Sequence, residues 1–165
     1  MSEWLDIVDE NDEVVGRAPR WKIHKENLLH RSTHIALFNS QGQVFVQLRS
    51  LRKDNDAGLW DTSAAGHVDS GESYLACAVR ELFEELGVRV GEDELVRAGC
   101  LQPEARNGFE FTKVYTVVSD QALVLQADEI DDGRWLGAAE LDHWIARQQH
   151  VFTEAFQTIW PLVRP

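Results

Sequence analysis

Glu81, Glu84 and Glu85 stand at i, i+3 and i+4 within the stretch Gly66 to Val88, GHVDSGESYLACAVRELFEELGV. On a helix that spacing puts three carboxylates on one side. Leu75, Val79, Leu82 and Leu86 recur with the same period on another side, which predicts a stripe facing the core. Gly87 follows and supplies the helix stop. At about 4 Å each close pair of carboxylates costs on the order of 1 to 4 kcal/mol, depending on local dielectric, and Arg80 offsets only part of it. A solvated acidic face is one reading of the trio. The other is a divalent cation site. Mg²⁺ and Mn²⁺ prefer carboxylate and water oxygens, and Mg²⁺ keeps waters that substrate phosphates can displace.

The elements that must position this helix are strand-rich. Glu3 to Val8 and Val14 to Ala18 read as partner strands around a turn at Asp9 to Glu13. Pro19 suits the first turn of a short helix from Arg20 to about Glu26. Ser32 to Asn39 and Gln43 to Ser50 flank a Ser40-Gln41-Gly42 turn and predict a hairpin. Leu51 to Gly58 is a polar loop, and Trp60 to Ala65 a short strand. Beyond Val88, strands are expected at Leu95 to Gln102, Phe109 to Val118 and Gly133 to Leu136. Helices follow at Ala138 to Arg147 and Thr153 to Val163. Phe152, Ala155, Phe156, Ile159 and Trp160 form an apolar stripe there, read as core or subunit contact. The pattern predicts an α+β chain with a mixed sheet packed between helices.

The chain has 165 residues, a length that suits one domain. No apolar run has the length of a membrane span and no secretory leader is visible, so a reducing cytoplasm is expected. Cys77 and Cys100 lack metal-ligand spacing and read as buried free thiols. The net charge of −12, from 16 basic and 28 acidic residues, argues against a nucleic-acid polymer as partner. A small anionic phosphate remains compatible if metals and local cations screen it.

The stretch resembles the Nudix box, G-x5-E-x7-R-E-U-x-E-E-x-G-U, where U is bulky and aliphatic. Gly66, Glu72, Arg80, Glu81, Leu82, Glu84, Glu85, Gly87 and Val88 fill every fixed position. The resemblance implies an α/β/α sandwich over residues 1–165, with the box at 66–88 and an N-terminal hairpin extension at 1–31. It implies Mg²⁺- or Mn²⁺-dependent hydrolysis of a diphosphate linkage in a nucleoside diphosphate-type small molecule. By position, Glu81 and Glu85 are the expected metal ligands, with Glu84 a further ligand or water-mediated partner. The Ala65 carbonyl is another possible ligand. Glu72 and Arg80 are expected to form a supporting ion pair. The general base is Glu81 or a carboxylate outside the box. Gly66 and Gly71 are expected to let backbone approach phosphates. Arg49, Arg52 and Lys53 in the loop before the box either meet substrate phosphates or keep the loop soluble. The assembly is expected to be a monomer or homodimer.

A wider resemblance covers most of Glu3 to Val118. The N-terminal hairpin, Leu29-His30, the LFNSQGQ turn and GLWDTSAAGH are similar to the isopentenyl-diphosphate isomerase branch. His30 and His67 align with two metal histidines of that isomerase, His24 falls near the third, and Glu110 aligns with a glutamate that is both ligand and acid. A further ligand glutamate falls at Gly108. The isomerase's catalytic cysteine falls at Ala65, whose methyl cannot carry a proton. His24, His30, His67 and Glu110 therefore have two readings: a second metal site or phosphate grip, or ordinary hydrogen-bonded histidines. The missing thiol and the intact box together favour hydrolysis over isomerisation. A non-catalytic nucleotide-binding domain is the remaining alternative.

Overall fold

The computed structural model describes residues 3–165, so the first two residues of the expected extension lie outside the described residues. The N-terminal hairpin pairs β1 (Trp4–Val8) with β2 (Val14–Pro19), with a bulge at Ile7/Val8. Pro19 ends β2 as the N-cap of α1 (Arg20–Glu26), so it sits one position before the expected first turn. Leu5, Ala18 and Ile23 bury together and seat the hairpin and helix as a small core of their own. The hairpin is tied to the box turn by Ser70 N–H donating to the Trp4 carbonyl at 2.9 Å, and to the chain just after α1 by Val8 N–H donating to the Leu29 carbonyl at 3.0 Å.

The main sheet is mixed. β3 (His30–Phe38) runs parallel to β8 (Glu110–Val118), and β8 pairs antiparallel with β7 (Val96–Leu101). On its other side β3 takes β6 (Ala64–His67), with His34 opposite Ala65 and Ser32 opposite His67. β4 (Val44–Arg49) keeps the predicted turn, with Asn39 N–H donating to the Gln43 carbonyl at 2.9 Å, but its only pair with β3 is Phe38–Val44. Beyond that point β4 pairs with β9 (Ile130–Leu136) and with β5 (Trp60–Asp61). The expected hairpin is thus a splayed pair. β6 takes the partner positions on β3 that β4 gives up, and the gap between them is where the box side chains arrive. The expected strand from Trp60 to Ala65 is correspondingly split into β5 and β6.

α2 (Tyr74–Leu86) starts on the Ser73 hydroxyl, which accepts from Ala76 N–H, and stops at Gly87, which is left-handed. Its buried side chains are Tyr74, Cys77, Ala78, Leu82, Glu85 and Leu86, and they pack on Ile35 and Leu37 of β3. Leu75 and Val79 are only partly buried at the margin of that cluster, so the core stripe is rotated from the one expected. The rotation carries Glu85 inward. The opposite face of the sheet is covered by α3 (Ala138–Arg147) and α4 (Glu154–Val163), where Phe156, Ile159 and Trp160 pack on Ala36 and Val46. Cys77 is buried, but Cys100 is exposed on the outer strand β7, which corrects the expectation of two buried thiols. No helix among the described residues is long and apolar enough to cross a membrane.

Candidate active site

The three box glutamates differ in environment. Glu85 is buried, and its two oxygens are held by neutral donors: Gln47 Nε2 at 2.8 Å and the Ala65 amide at 3.2 Å. Burial and then the charge of Glu81 push its carboxyl well above the usual range. Glu81 is also raised, chiefly by burial, although Arg80 Nη1 donates to it at 2.7 Å. Glu84 is half exposed and reaches the same Arg80 nitrogen at 3.1 Å. Two carboxylates are therefore sequestered and one faces solvent.

Arg80 organises the box. Its Nε and Nη2 form a two-pronged pair with Glu72 at 2.8 and 2.9 Å, as the sequence predicted, and Nη2 also donates to the His67 carbonyl at 3.2 Å. Burial pushes the Glu72 carboxyl up, but the bonds from Arg80 and from the Asp69 amide outweigh it and hold the group below its usual range. One guanidinium thus locks turn, strand and helix together.

Gly66 is glycine for a reason other than the one expected. It lies in strand β6 rather than in a turn, without a left-handed φ, and a Cβ there would stand 2.1 Å from Glu81 Oε1. Its missing side chain is the space the Glu81 carboxylate occupies. Gly71 does have a left-handed φ of 84°. Its amide donates to Asp6 at 3.1 Å, fastening the N-terminal hairpin rather than facing the box carboxylates.

Ala65, Gly66 and the box carboxylates line a cleft of about 1670 Å³. The histidine set meets farther along it. His24 from α1, His30 from β3 and His67 from β6 each offer a ring nitrogen, all within 4.8 Å of one another. Glu110 Oε1 lies 3.1 Å from His67 Nε2 and 3.6 Å from His30 Nε2. The longer distance is not a hydrogen bond, and the buried His30 Nε2 is left without a partner. Its Nδ1 is occupied by the Leu28 carbonyl at 2.8 Å. Burial, followed by the charges of His67, Arg20 and His30, lowers His24 to about 4, so its ring is neutral near pH 7. Burial pushes Glu110 up, but contacts with His30 and His67 more than reverse this and keep it ionised. Three imidazoles, one of them with an unpartnered buried nitrogen, and one carboxylate fit a Zn²⁺- or Mn²⁺-type ion.

The basic loop lines the same cleft with its charges paired. Arg52 bonds Asp128 at 2.8 Å, Lys53 bonds Glu129, and Arg49 Nη2 bonds Asn55 Oδ1 at 2.9 Å. Asp128 and Glu129 are thus engaged by the loop. Arg49 Nη1 lies 3.6 Å from Asp61, and its buried Nε has no partner.

Sequence reasoning overlooked Gln47, the donor to Glu85, and gave His34 no role. The signal was present: His30, Ser32 and His34 alternate along β3 and so share one face of the sheet.

The site is thus a splayed mixed sheet between helices, with a Glu-rich helix bound to a glycine-bearing strand by one arginine. The family profile described as NUDIX domain matches residues 28–156. A Pseudomonas aeruginosa protein described as an uncharacterized Nudix hydrolase is 40% identical over 136 residues, 82% of this chain and 79% of that protein. An isopentenyl-diphosphate Delta-isomerase of Serratia proteamaculans is 33% identical over 162 residues, 96% of this chain and 90% of that protein. The crystal structure of DR0079 from Deinococcus radiodurans superposes with a TM-score of 0.80 at 30% identity, covering 98% of this chain and 100% of that one. This chain belongs to the Nudix family, whose enzymes generally act on pyrophosphate-containing substrates with divalent metals.

Proposed function

We propose that this protein hydrolyses the diphosphate linkage of a nucleoside diphosphate-type small molecule with Mg²⁺ or Mn²⁺. The observation that carries the reading is the buried Glu85 carboxylate beside Glu81, with only the neutral donors Gln47 and Ala65 N–H upon it. A buried acid pair of this kind is costly unless a cation completes it. Glu81 and Glu85 are the residues that would hold the ion, with Glu84 and the Ala65 carbonyl at the rim. Bound there, the metal supplies charge neutralisation to phosphate oxygens and lowers the pKa of a water.

The chain's own groups do the rest. Arg80, fixed by Glu72, holds Glu81 in place. Glu81, ionised and beside the attacking water, is the box carboxylate placed to take its proton. Arg49, Arg52 and Lys53 exchange their present carboxylate and amide partners for phosphate oxygens, which would position the anion in line. Isomerisation is disfavoured because Ala65 offers no proton-transfer group. A pure binding role is disfavoured because it has no use for a buried acid pair.

The test is a screen over nucleoside diphosphates, nucleotide sugars, dinucleotides and prenyl diphosphates with Mg²⁺ and Mn²⁺, with an added phosphomonoesterase to convert the monoester products of the diester substrates into free phosphate for a phosphate-release readout. Glu85→Gln is expected to fold and to lose on the order of 100-fold or more in kcat. Wild-type turnover by a folded Glu85→Gln protein overturns the assignment.

A second reading concerns His24, His30, His67 and Glu110 as a separate metal site, favoured by the partnerless His30 Nε2. Metal analysis of purified wild-type and His67→Ala protein decides it: the variant is expected to lose one ion per chain, and equal content in both removes the site.

A further inference from the structure

Between the acid pair and the histidine set, the floor of the cleft carries a polar group that the proposed chemistry leaves unused. His34 lines the cleft and stands opposite Ala65 across the β3–β6 pair, where facing Cα atoms lie about 4.5 to 5.5 Å apart. Ala65 is also the residue whose amide Glu85 holds. Ala65 ends in a methyl, which leaves room above the imidazole for whatever is joined to a diphosphate at the acid pair.

The orientation of His34 is built by its neighbours. Its Nδ1 lies 2.7 Å from the Thr62 hydroxyl and 3.9 Å from Asp61 Oδ1. A proton on Nδ1 would face both the Thr62 hydroxyl, which then accepts it, and the negative Asp61 oxygen. The Asp61 carboxylate favours the same tautomer. Asp61 is fixed in turn by Thr62 N–H at 2.7 Å and by Arg49 at 3.6 Å. The other ring nitrogen, Nε2, therefore carries a lone pair, and it enters none of the side-chain hydrogen bonds among the described residues. Beside it on β3, Ser32 shares a hydroxyl pair at 2.8 Å with Thr112 of the neighbouring β8. A hydrocarbon chain laid on this floor would strip polar groups of water without replacing their bonds. A sugar would not.

We propose that His34, oriented by Thr62 and Asp61, is a specificity residue whose Nε2 accepts a hydrogen bond from a sugar hydroxyl of the diphosphate substrate. The proposal rests on the hydrolase reading for the placement of the diphosphate. Its test reads binding rather than turnover, so the two can fail separately.

The experiment titrates wild type, His34→Gln and His34→Asn, in Mg²⁺, with the α,β-methylene analogue of a nucleoside diphosphate and with its dideoxy counterpart. Gln carries a polar atom to the position of Nε2, whereas Asn keeps only the contact with Thr62. Wild type is expected to bind the ribose form about tenfold more tightly than the dideoxy form. His34→Gln should keep most of that preference. His34→Asn should lose it while binding the dideoxy form as wild type does. A merely structural role for His34 predicts that Asn is the better replacement. Equal wild-type affinities, a discriminating His34→Asn, or no binding of either analogue overturns the proposal. Discrimination in a protein that releases no phosphate overturns the hydrolase reading and leaves this one standing. Phosphate release without discrimination does the reverse.

Discussion

Replacing Gly66 by alanine tests the acid pair without changing a charge. The added Cβ would lie 2.1 Å from Glu81 Oε1, 2.2 Å from Cδ and 2.7 Å from Cγ, whereas ordinary contact begins at 3.4 Å. To regain ordinary contact the carboxylate oxygen must retreat by 1.3 Å, the difference between 3.4 and 2.1. The methyl meets only the Glu81 side chain, from Cγ outward, and Gly66 has no left-handed φ, so that side chain must turn away while the backbone can stay where it is. Stability should change by about 1 kcal/mol or less. Turnover should not be spared. A displacement of about 1 Å at a catalytic constellation costs roughly 100-fold, so kcat/KM should fall by about that factor, and the Mg²⁺-induced rise in Tm should shrink with it. Gly71→Ala is the matched control. It meets nothing within 4 Å but sits at φ 84°, so it should lose about 1 kcal/mol of stability and keep its activity. The assay is phosphate release on the best substrate of the screen, paired with thermal melts with and without Mg²⁺. A folded Gly66→Ala protein with wild-type kcat/KM would refute the claim that Glu81 must lie on the Gly66 backbone.

Two further outcomes are expected. Glu72→Gln removes the charged half of the two-pronged pair with Arg80 and should cost about 1.5 to 3 kcal/mol at pH 7 in urea melts. Because the folded Glu72 carboxyl lies below its ordinary value, its contribution is present above about pH 4.5 and fades as pH falls through the lower folded value; a deficit that persists undiminished at low pH contradicts the ion-pair account. His24 is lowered from 6.5 to about 4, so the unfolded chain takes up its proton first as pH falls. Its contribution is intact above pH 6.5 and is lost progressively toward pH 4. In metal-free buffer the wild type should therefore lose Tm faster than His24→Phe over that interval, and parallel curves would contradict the assignment.

Much of the architecture was legible in the residues because it is local. Strand alternation and the Gly87 stop act over a few residues, and the predicted elements fall within a residue or three of the observed ones, apart from the split strand before the box. The box spacing likewise announced a carboxylate cluster, and the pairing of Glu72 with Arg80 followed from the motif. The wider resemblance brought His24, His30, His67 and Glu110 to one place, although no local pattern joins a helix, two early strands and β8.

What the chain alone left open depends on contacts between distant segments. Periodicity placed the three glutamates on one side but could not rank them. Only the seating of α2 on β3 and β6 buries Glu85, half buries Arg80 and leaves Glu84 in solvent. The reason Gly66 lacks a side chain lies fifteen positions away, in Glu81. The parting of β4 from β3 requires β6, β5 and β9 to supply substitute partners, and a turn sequence carries no record of them. The placement of His34 against Thr62, Asp61 and Ala65 joins three strands in the same way. Helices and turns are stabilised by neighbours along the chain, so the sequence determined them. Burial, charge and the direction a ring nitrogen faces are set by neighbours across space, and those the tertiary structure decided.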